Sequence, residues 1–230
     1  MAHRKSLPFT FKSTLLSFVV ISTISLGYMF PLLGFVVPIV MLTGFVVSLF
    51  RGRYTCGNLC PRGAFFDTVI ARFSSDREIP RFVRSKLFRW SAFALMMGFM
   101  IFRIAQNPAS VNHWGVVFWS MCVYTTFIGI IGAAATNSRF WCSFCPMGTV
   151  QQAVGGSRNL LEIDGSVCRE CRLCEKACPM NLEIVSHKDK GFSPERDCIK
   201  CGRCSAVCPK NALEIPHAAK SVSETFRKAV

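Results

Sequence analysis

Residues 53–63 read RYTCGNLCPRG and residues 139–148 read RFWCSFCPMG. Both copies follow one pattern: Arg, an aromatic, any residue, Cys, two or three residues, Cys-Pro, any residue, Gly. Each copy ends a long stretch without charge, residues 13–50 for the first and 104–138 for the second. A motif that recurs behind matching apolar runs marks an internal repeat, and the rest of the chain is read around it.

The 230 residues are 51% hydrophobic with mean hydropathy +0.36, too apolar for an ordinary soluble domain. A spanning helix needs about 20 apolar residues. The first run therefore holds two spans, 13–30 and 31–50, with Gly27 and Pro31 marking the turn between them. A third span fits 86–104, where Arg89 and Arg103 near the ends are placed to snorkel, and a fourth fits 116–135. The alternative is a large apolar soluble core. The N-terminal run lacks a small-residue cleavage site and is followed at once by a second apolar run, so it reads as a retained anchor rather than a signal peptide.

The net charge is +14. Residues 1–156 carry 14 Lys/Arg against 3 Asp/Glu, while residues 157–230 carry 13 against 10. Nine of the first 14 lie between Arg51 and Arg89, and the loops at 28–32 and 105–115 contain none. That asymmetry places the N-terminus, the 51–89 loop and the C-terminal part in the cytoplasm. Nucleic acid is not an expected partner, because the basic residues flank spans and no nucleic-acid module is visible.

Thirteen cysteines facing the cytoplasm do not suggest a disulfide framework. Cys168, Cys171, Cys174 and Cys178 precede Pro179, and Cys198, Cys201, Cys204 and Cys208 precede Pro209. This C-x2-C-x2-C-x3-C-P run resembles that of bacterial two-cluster ferredoxins, in which three cysteines of one run join the fourth of the other. Cys168, Cys171, Cys174 and Cys208 are thus expected to hold one [4Fe–4S] cluster, and Cys198, Cys201, Cys204 and Cys178 the second. The continuations CPMNLEI and CPKNALEI support a duplication. Zinc is the competing reading of paired C-x2-C.

The opening motifs allow more than one reading. An even number of spans returns the chain to one face, so Cys56, Cys60, Cys142 and Cys145 can meet and hold a third Fe–S cluster. A redox-active thiol pair and simple packing remain the alternatives. Gly63 and Gly148 permit close backbone approach. In 62–73, Phe65, Phe66, Val69, Ile70 and Phe73 fall at helical spacing, which suits a helix lying in the membrane interface. Cys122, alone in an apolar helix, reads as a packing residue.

These features resemble the NapH-type membrane quinol dehydrogenases and the C-terminal half of NosR-type proteins, over roughly residues 10–215. The membrane motif of that family is C-x3-C-P; Cys56/Cys60 conforms, and Cys142/Cys145 is one residue shorter. The flavin-binding domain of the NosR type and a flavinylation sequence are both missing from the sequence, so covalent flavin is not expected. The resemblance implies an electron carrier of a bacterial-type inner membrane that works with lipid, the quinone pool and other redox subunits.

The expected architecture is an α-helical membrane domain (1–156) with four transmembrane helices in two hairpin repeats. A C-terminal α+β two-cluster ferredoxin domain (157–217) and a polar tail (218–230) follow. No catalytic acid, base or nucleophile is required. Quinone-site candidates on the outer side are Arg103, Gln106, Asn107, Asn112, His113 and Trp114. Transmembrane haem is not expected, since His3, His113, His187 and His217 all lie outside or at the edges of spans. The second functional reading is a membrane polyferredoxin for metal-centre assembly, metal reduction or redox regulation.

Overall fold

A computed structural model describes residues 11–75 and 77–216. The tail at 218–230, His3 and His217 lie outside the described residues. Helix α1 (Phe11–Leu26) turns at Gly27 into a 3-10 segment, Pro31–Phe35, that continues directly as α2 (Val36–Arg51). The first cysteine motif lies on the short helices α3 (Tyr54–Asn58) and α4 (Pro61–Thr68). Next come the long pair α5 (Lys86–Ala105) and α6 (Val111–Ala135), then the second motif and α7 (Pro146–Gly155). Local chemistry sets the starts. The Ser85 and Ser110 hydroxyls accept from the Phe88 and His113 amides. Pro61 and Pro146 open α4 and α7, where a missing N–H costs no helical bond.

Among the described residues, three stretches are long and apolar enough to cross a membrane: Pro31–Arg51, Lys86–Ala105 and Val111–Ala135. Leu95, Phe99, Phe102, Phe127 and Ile131 lie exposed on their outer faces, as contact with lipid requires. The expected first span at 13–30 is shorter, because α1 ends at Leu26 and has 16 residues. This helix does not stand alone. It packs along α4, and its buried Ser17 shares a 2.8 Å hydrogen bond with Thr68. In the same way α7 folds back onto α2.

Two local expectations are corrected. Arg89 does not snorkel: it is 2% exposed, because a carboxylate from the C-terminal lobe reaches it. The 62–73 segment does not lie flat in the interface either. Helix α4 stops at Thr68, Phe66 is fully buried, and Phe65 and Val69 join its cluster with Ile79, Val83, Trp141 and Phe144. Only Phe73 of that apolar set is exposed, since the buried Asp67 holds this helix inside the protein.

The C-terminal lobe is a small antiparallel sheet ordered β2-β1-β3 with two short helices. Its strands are β1 (Leu161–Ile163), β2 (Phe192–Ser193) and β3 (Leu213–Glu214). Leu161 pairs Ser193, and Ile163 pairs Leu213. Helices α8 (Leu173–Ala177) and α9 (Arg203–Ala206) stand at equivalent places in the two halves. Positive φ angles recur in the same register at Glu170 and Lys200, Arg172 and Gly202, and Asn181 and Asn211, so the duplication extends to the backbone.

A buried carboxylate of the lobe, Asp197, gathers side chains from three parts of the helical half. Asp197 accepts from Arg53 Nη1 at 2.8 Å, from Arg89 Nη1 and Nη2 at 2.8 and 2.6 Å, and from Gln152 Nε2 at 3.1 Å. Burial alone would raise its pKa, but hydrogen bonding to Arg89 and the charges of Arg53, Arg89 and Arg84 outweigh that and hold it below the ordinary value. Its contribution to stability is present above the ordinary carboxylate range and is lost as pH falls through the lowered folded value, that is below about 4. Asp197→Asn should destabilise the protein by about 3–5 kcal/mol, because it leaves buried guanidinium groups without a counter-charge. Denaturation in detergent at pH 7, followed by tryptophan fluorescence, measures this; an unchanged midpoint contradicts it.

Candidate functional site

Gly52 (φ 62) turns the chain at the end of α2, which brings Cys56 into α3 and Cys60 to the start of α4. In the second copy a 3-10 turn, Trp141–Ser143, carries Cys142, and Cys145 caps α7. All four cysteines line one cavity of about 180 Å³, together with Arg62 and Gln151. The Cys56 thiol donates to Gln151 Oε1 at 3.0 Å. The two repeats therefore meet at their sulfurs although the second spacing is one residue shorter.

Each repeat lends its arginine to the other. Arg53 Nη2 donates to the Cys142 carbonyl at 2.8 Å, and Arg139 Nη1 donates to the Cys56 carbonyl at 2.8 Å. Arg139 is in turn held by Asp67, through Nε at 3.0 Å and Nη2 at 2.5 Å, and Arg203 of the lobe adds a 2.9 Å contact to the same carboxylate. The motif glycines make room for this exchange. A Cβ at Gly63 would sit 2.6 Å from Arg139 Nη1, and one at Gly148 would sit 2.8 Å from Arg53 Nη2. The close backbone approach expected from the sequence is also present, since the same Cβ atoms would lie 3.0 Å from the Cys56 carbonyl oxygen and 3.2 Å from that of Cys142.

In the lobe, Cys168, Cys171, Cys174 and Cys208 line one cavity of about 30 Å³. Cys178, Cys198, Cys201 and Cys204 line another of about 20 Å³. The fourth cysteine of each run thus faces the first three of the other. Among the described residues no three His, Cys, Asp or Glu side chains are arranged to hold a metal ion. The quartets surround voids, which suits a multinuclear group better than one tetrahedral zinc. Burial pushes the thiols up, Cys56 and Cys178 to about 12 and Cys174 to about 11. Loading with iron must therefore release protons.

The membrane quartet also fits an anionic group by charge. Arg53, Arg62 and Arg139 surround it, and the two buried carboxylates nearby are each shared between arginines. Four thiolates around an oxidised cubane carry net negative charge, which this excess of cations offsets. The sulfurs also touch the lobe. Cys56 and Cys142 pack on its core, Gly57 lies against the Ile199 carbonyl, and Asn58 Nδ2 donates to the Lys200 carbonyl at 3.1 Å.

Residues 33–80 and 119–163 match the model of a 4Fe-4S binding domain, and residues 167–213 that of a 4Fe-4S dicluster domain. It is an iron–sulfur protein. The chain is 23% identical over 163 residues to the uncharacterized protein MJ0749 of Methanocaldococcus jannaschii, covering 67% of this chain and 61% of that one. It is 24% identical over 170 residues to the uncharacterized protein MJ0750 of the same organism, covering 67% and 68%. The chain thus spans about three fifths of the first relative's length. No solved structure matches it.

The outer candidates fall elsewhere. Arg103 lies in the last turn of α5, and Gln106 and Asn107 are exposed. Asn112, His113 and Trp114 form the first turn of α6, where His113 Nε2 lies 2.8 Å from the Arg103 carbonyl. This turn is at the opposite end of α5 and α6 from the thiols. Sequence reasoning missed Arg62, Gln151, Asp67 and Asp197. The arginine of each motif was visible in the pattern, but no spacing rule announces a single Asp or Gln. Cys122 is buried and also lines the cavity, 3.2 Å from Arg62 Nη2.

Gly63→Ala should cost roughly 1–3 kcal/mol, because Arg139 is held at three donor atoms and cannot move aside. Gly98→Ala, on a helix face with nothing within 4 Å, should leave stability within about 1 kcal/mol of the parent. Equal denaturation midpoints for the two variants would show that the Gly63 site tolerates a side chain.

Proposed function

We propose that this chain is an integral membrane electron-transfer subunit linking the quinone pool to another redox protein, akin to the NapH and NosR types it resembles. The observation that carries this reading is the convergence of Cys56, Cys60, Cys142 and Cys145 on one cavity that abuts the Cys198–Cys201 loop. On this reading Cys168, Cys171, Cys174 and Cys208 hold one [4Fe–4S] cluster, and Cys178, Cys198, Cys201 and Cys204 hold the second. The membrane quartet holds a third Fe–S centre. Such groups supply one-electron transfer when bound. The chain's own part is to fix their positions and exclude water with the apolar cores around them. Its arginines compensate the thiolate charge.

Contact order supports a sequence of sites. The membrane quartet touches the loop of the second ferredoxin quartet through Gly57 and Ile199, and the quartet with exposed Cys171 lies beyond. A soluble or peripheral partner thus meets the cluster at Cys168–Cys174, on the cytoplasmic side of a bacterial-type inner membrane. The charge asymmetry supports that orientation, with both termini cytoplasmic. Reporter fusions after Leu32 and Asn107 should read as external and one after Ser74 as internal. An external signal from a fusion after Val230 would reverse the topology.

Anaerobic iron and sulfide analysis with EPR on the full chain tests the centres. About 12 iron atoms per chain are expected with three cubanes, against about eight for the ferredoxin pair alone. Cys60→Ser should lose the additional iron while the two ferredoxin signals persist. Iron content of about eight that Cys60→Ser leaves unchanged would remove the third centre.

A further inference from the structure

Lys200 stands between Cys198 and Cys201 and lines the void that those two cysteines share with Cys178 and Cys204. It is 3% exposed, although lysine is almost never fully buried unless paired. Its Nζ donates to the carbonyls of Arg158 and Asn159, in the link from α7 to β1. Among the described residues no carboxylate pairs with it. Two carbonyl dipoles occupy its donors and leave its charge unmatched. The other charged groups beside this quartet do have counter-charges. Asp197, next to Cys198, is met by Arg53 and Arg89, and Arg203, next to Cys204, lies 2.9 Å from Asp67.

The equivalent place in the first cysteine run, 30 residues earlier, holds the opposite charge. Glu170 has φ 54 where Lys200 has φ 55, so the two loops share a backbone. Glu170 is exposed, however, and its carboxylate accepts from Lys188 Nζ at 2.8 Å. One quartet therefore has a solvated ion pair beside it, and the other a buried lone cation. The difference matters for a group held by four thiolates, which becomes more negative by one unit when it takes up an electron. In a buried void water cannot stabilise that added charge. A fixed cation on the wall of the void replaces part of the missing solvation. Net charge and solvent exposure are among the factors that set Fe–S potentials. Glu170 with Lys188 has no comparable effect, because an exposed pair is neutral as a unit and screened by water.

We propose that Lys200 sets the reduction potential of the second ferredoxin centre, holding it high enough to accept an electron in spite of its burial. The place of Lys200 suits that role. Its carbonyl accepts from Asn58 of the first membrane motif, and a Cβ at Gly52 would lie 3.0 Å from its Cε. The cation thus stands where the helical part meets the lobe. The inference rests on the reading above that Cys178, Cys198, Cys201 and Cys204 hold a cluster. Lys200 acts through that centre, as a positioning residue whose own tie to the α7–β1 link is a separate, structural task.

The test is an anaerobic redox titration of the full chain in detergent, with dithionite as reductant and EPR as readout. Cys201→Ser identifies the signal of this centre. Lys200→Met should lower the midpoint of that signal, with its reduction equilibrium falling about tenfold, or about 59 mV for one electron. The other centres should keep their midpoints, and iron per chain should stay at the parent value. Lys200→Arg should hold the parent midpoint. Lys200→Gln keeps an amide donor for the two carbonyls but no charge, and should lower the midpoint as Lys200→Met does. If the methionine variant fails to fold, the glutamine variant decides. Glu170→Gln should leave every midpoint in place. An unmoved midpoint in a folded neutral variant with full iron overturns the proposal and leaves Lys200 only its structural tie. A parent chain with no signal that Cys201→Ser alters overturns the cluster reading, and the proposal with it.

Discussion

The carboxylate of Asp197 joins the two halves of this protein. It accepts from Arg53 at the end of the first hairpin, from Arg89 in the first turn of α5, and from Gln152 on α7. Three separate elements of the helical part are thereby referred to one point of the ferredoxin lobe, next to Cys198. The geometry is that of strong pairing, bidentate and short at Arg89. Its desolvation cost means that it contributes more to the choice of one arrangement than to net stability. Arg53 has a second obligation to the Cys142 carbonyl, so the seat of the lobe and the meeting of the two membrane motifs are set by the same side chain.

The second buried carboxylate, Asp67, repeats this logic one layer away. It holds Arg139, which serves the Cys56 carbonyl, and it accepts from Arg203 of the lobe. The two motifs are thus locked by an exchange of arginines, each grounded on an acid that also touches the lobe. This accounts for why Arg and Gly flank both Cys pairs. The arginine serves the opposite copy, and the glycine is where the opposite arginine lies. The difference of one residue between the cysteine spacings is absorbed locally, by a short α-helix around Cys56 and a 3-10 turn around Cys142.

The lobe was legible in the sequence because its chemistry is written in short spacings. The 30-residue offset between cysteine runs returns as paired left-handed residues, and each quartet surrounds its own void. The long helices were legible from apolar length, with α5 and α6 capped by Ser85 and Ser110. The reading failed where burial depended on partners distant in sequence. Arg89 looked like a snorkelling cation because its carboxylate lies 108 residues away. The phenylalanines of 62–73 looked interfacial because helical spacing shows an apolar face without saying what covers it. Of the candidate site, the cysteines could be read from pattern; Arg62 and Gln151 could not, since each contributes through placement alone.

The position of Asp197 late in the chain has a consequence for biogenesis. Synthesis proceeds from the N-terminus, so Arg53 and Arg89 reach the bilayer surface well before their common acid exists. During that interval the helical half has neither the counter-charge nor the apolar lid that the lobe provides. A chain truncated before residue 197 would retain those guanidinium groups without Asp197 and expose the apolar surface that Cys56 and Cys142 present to the lobe. Such a product would carry on its own surface both the unmatched charge and the uncovered apolar patch that the finished lobe removes.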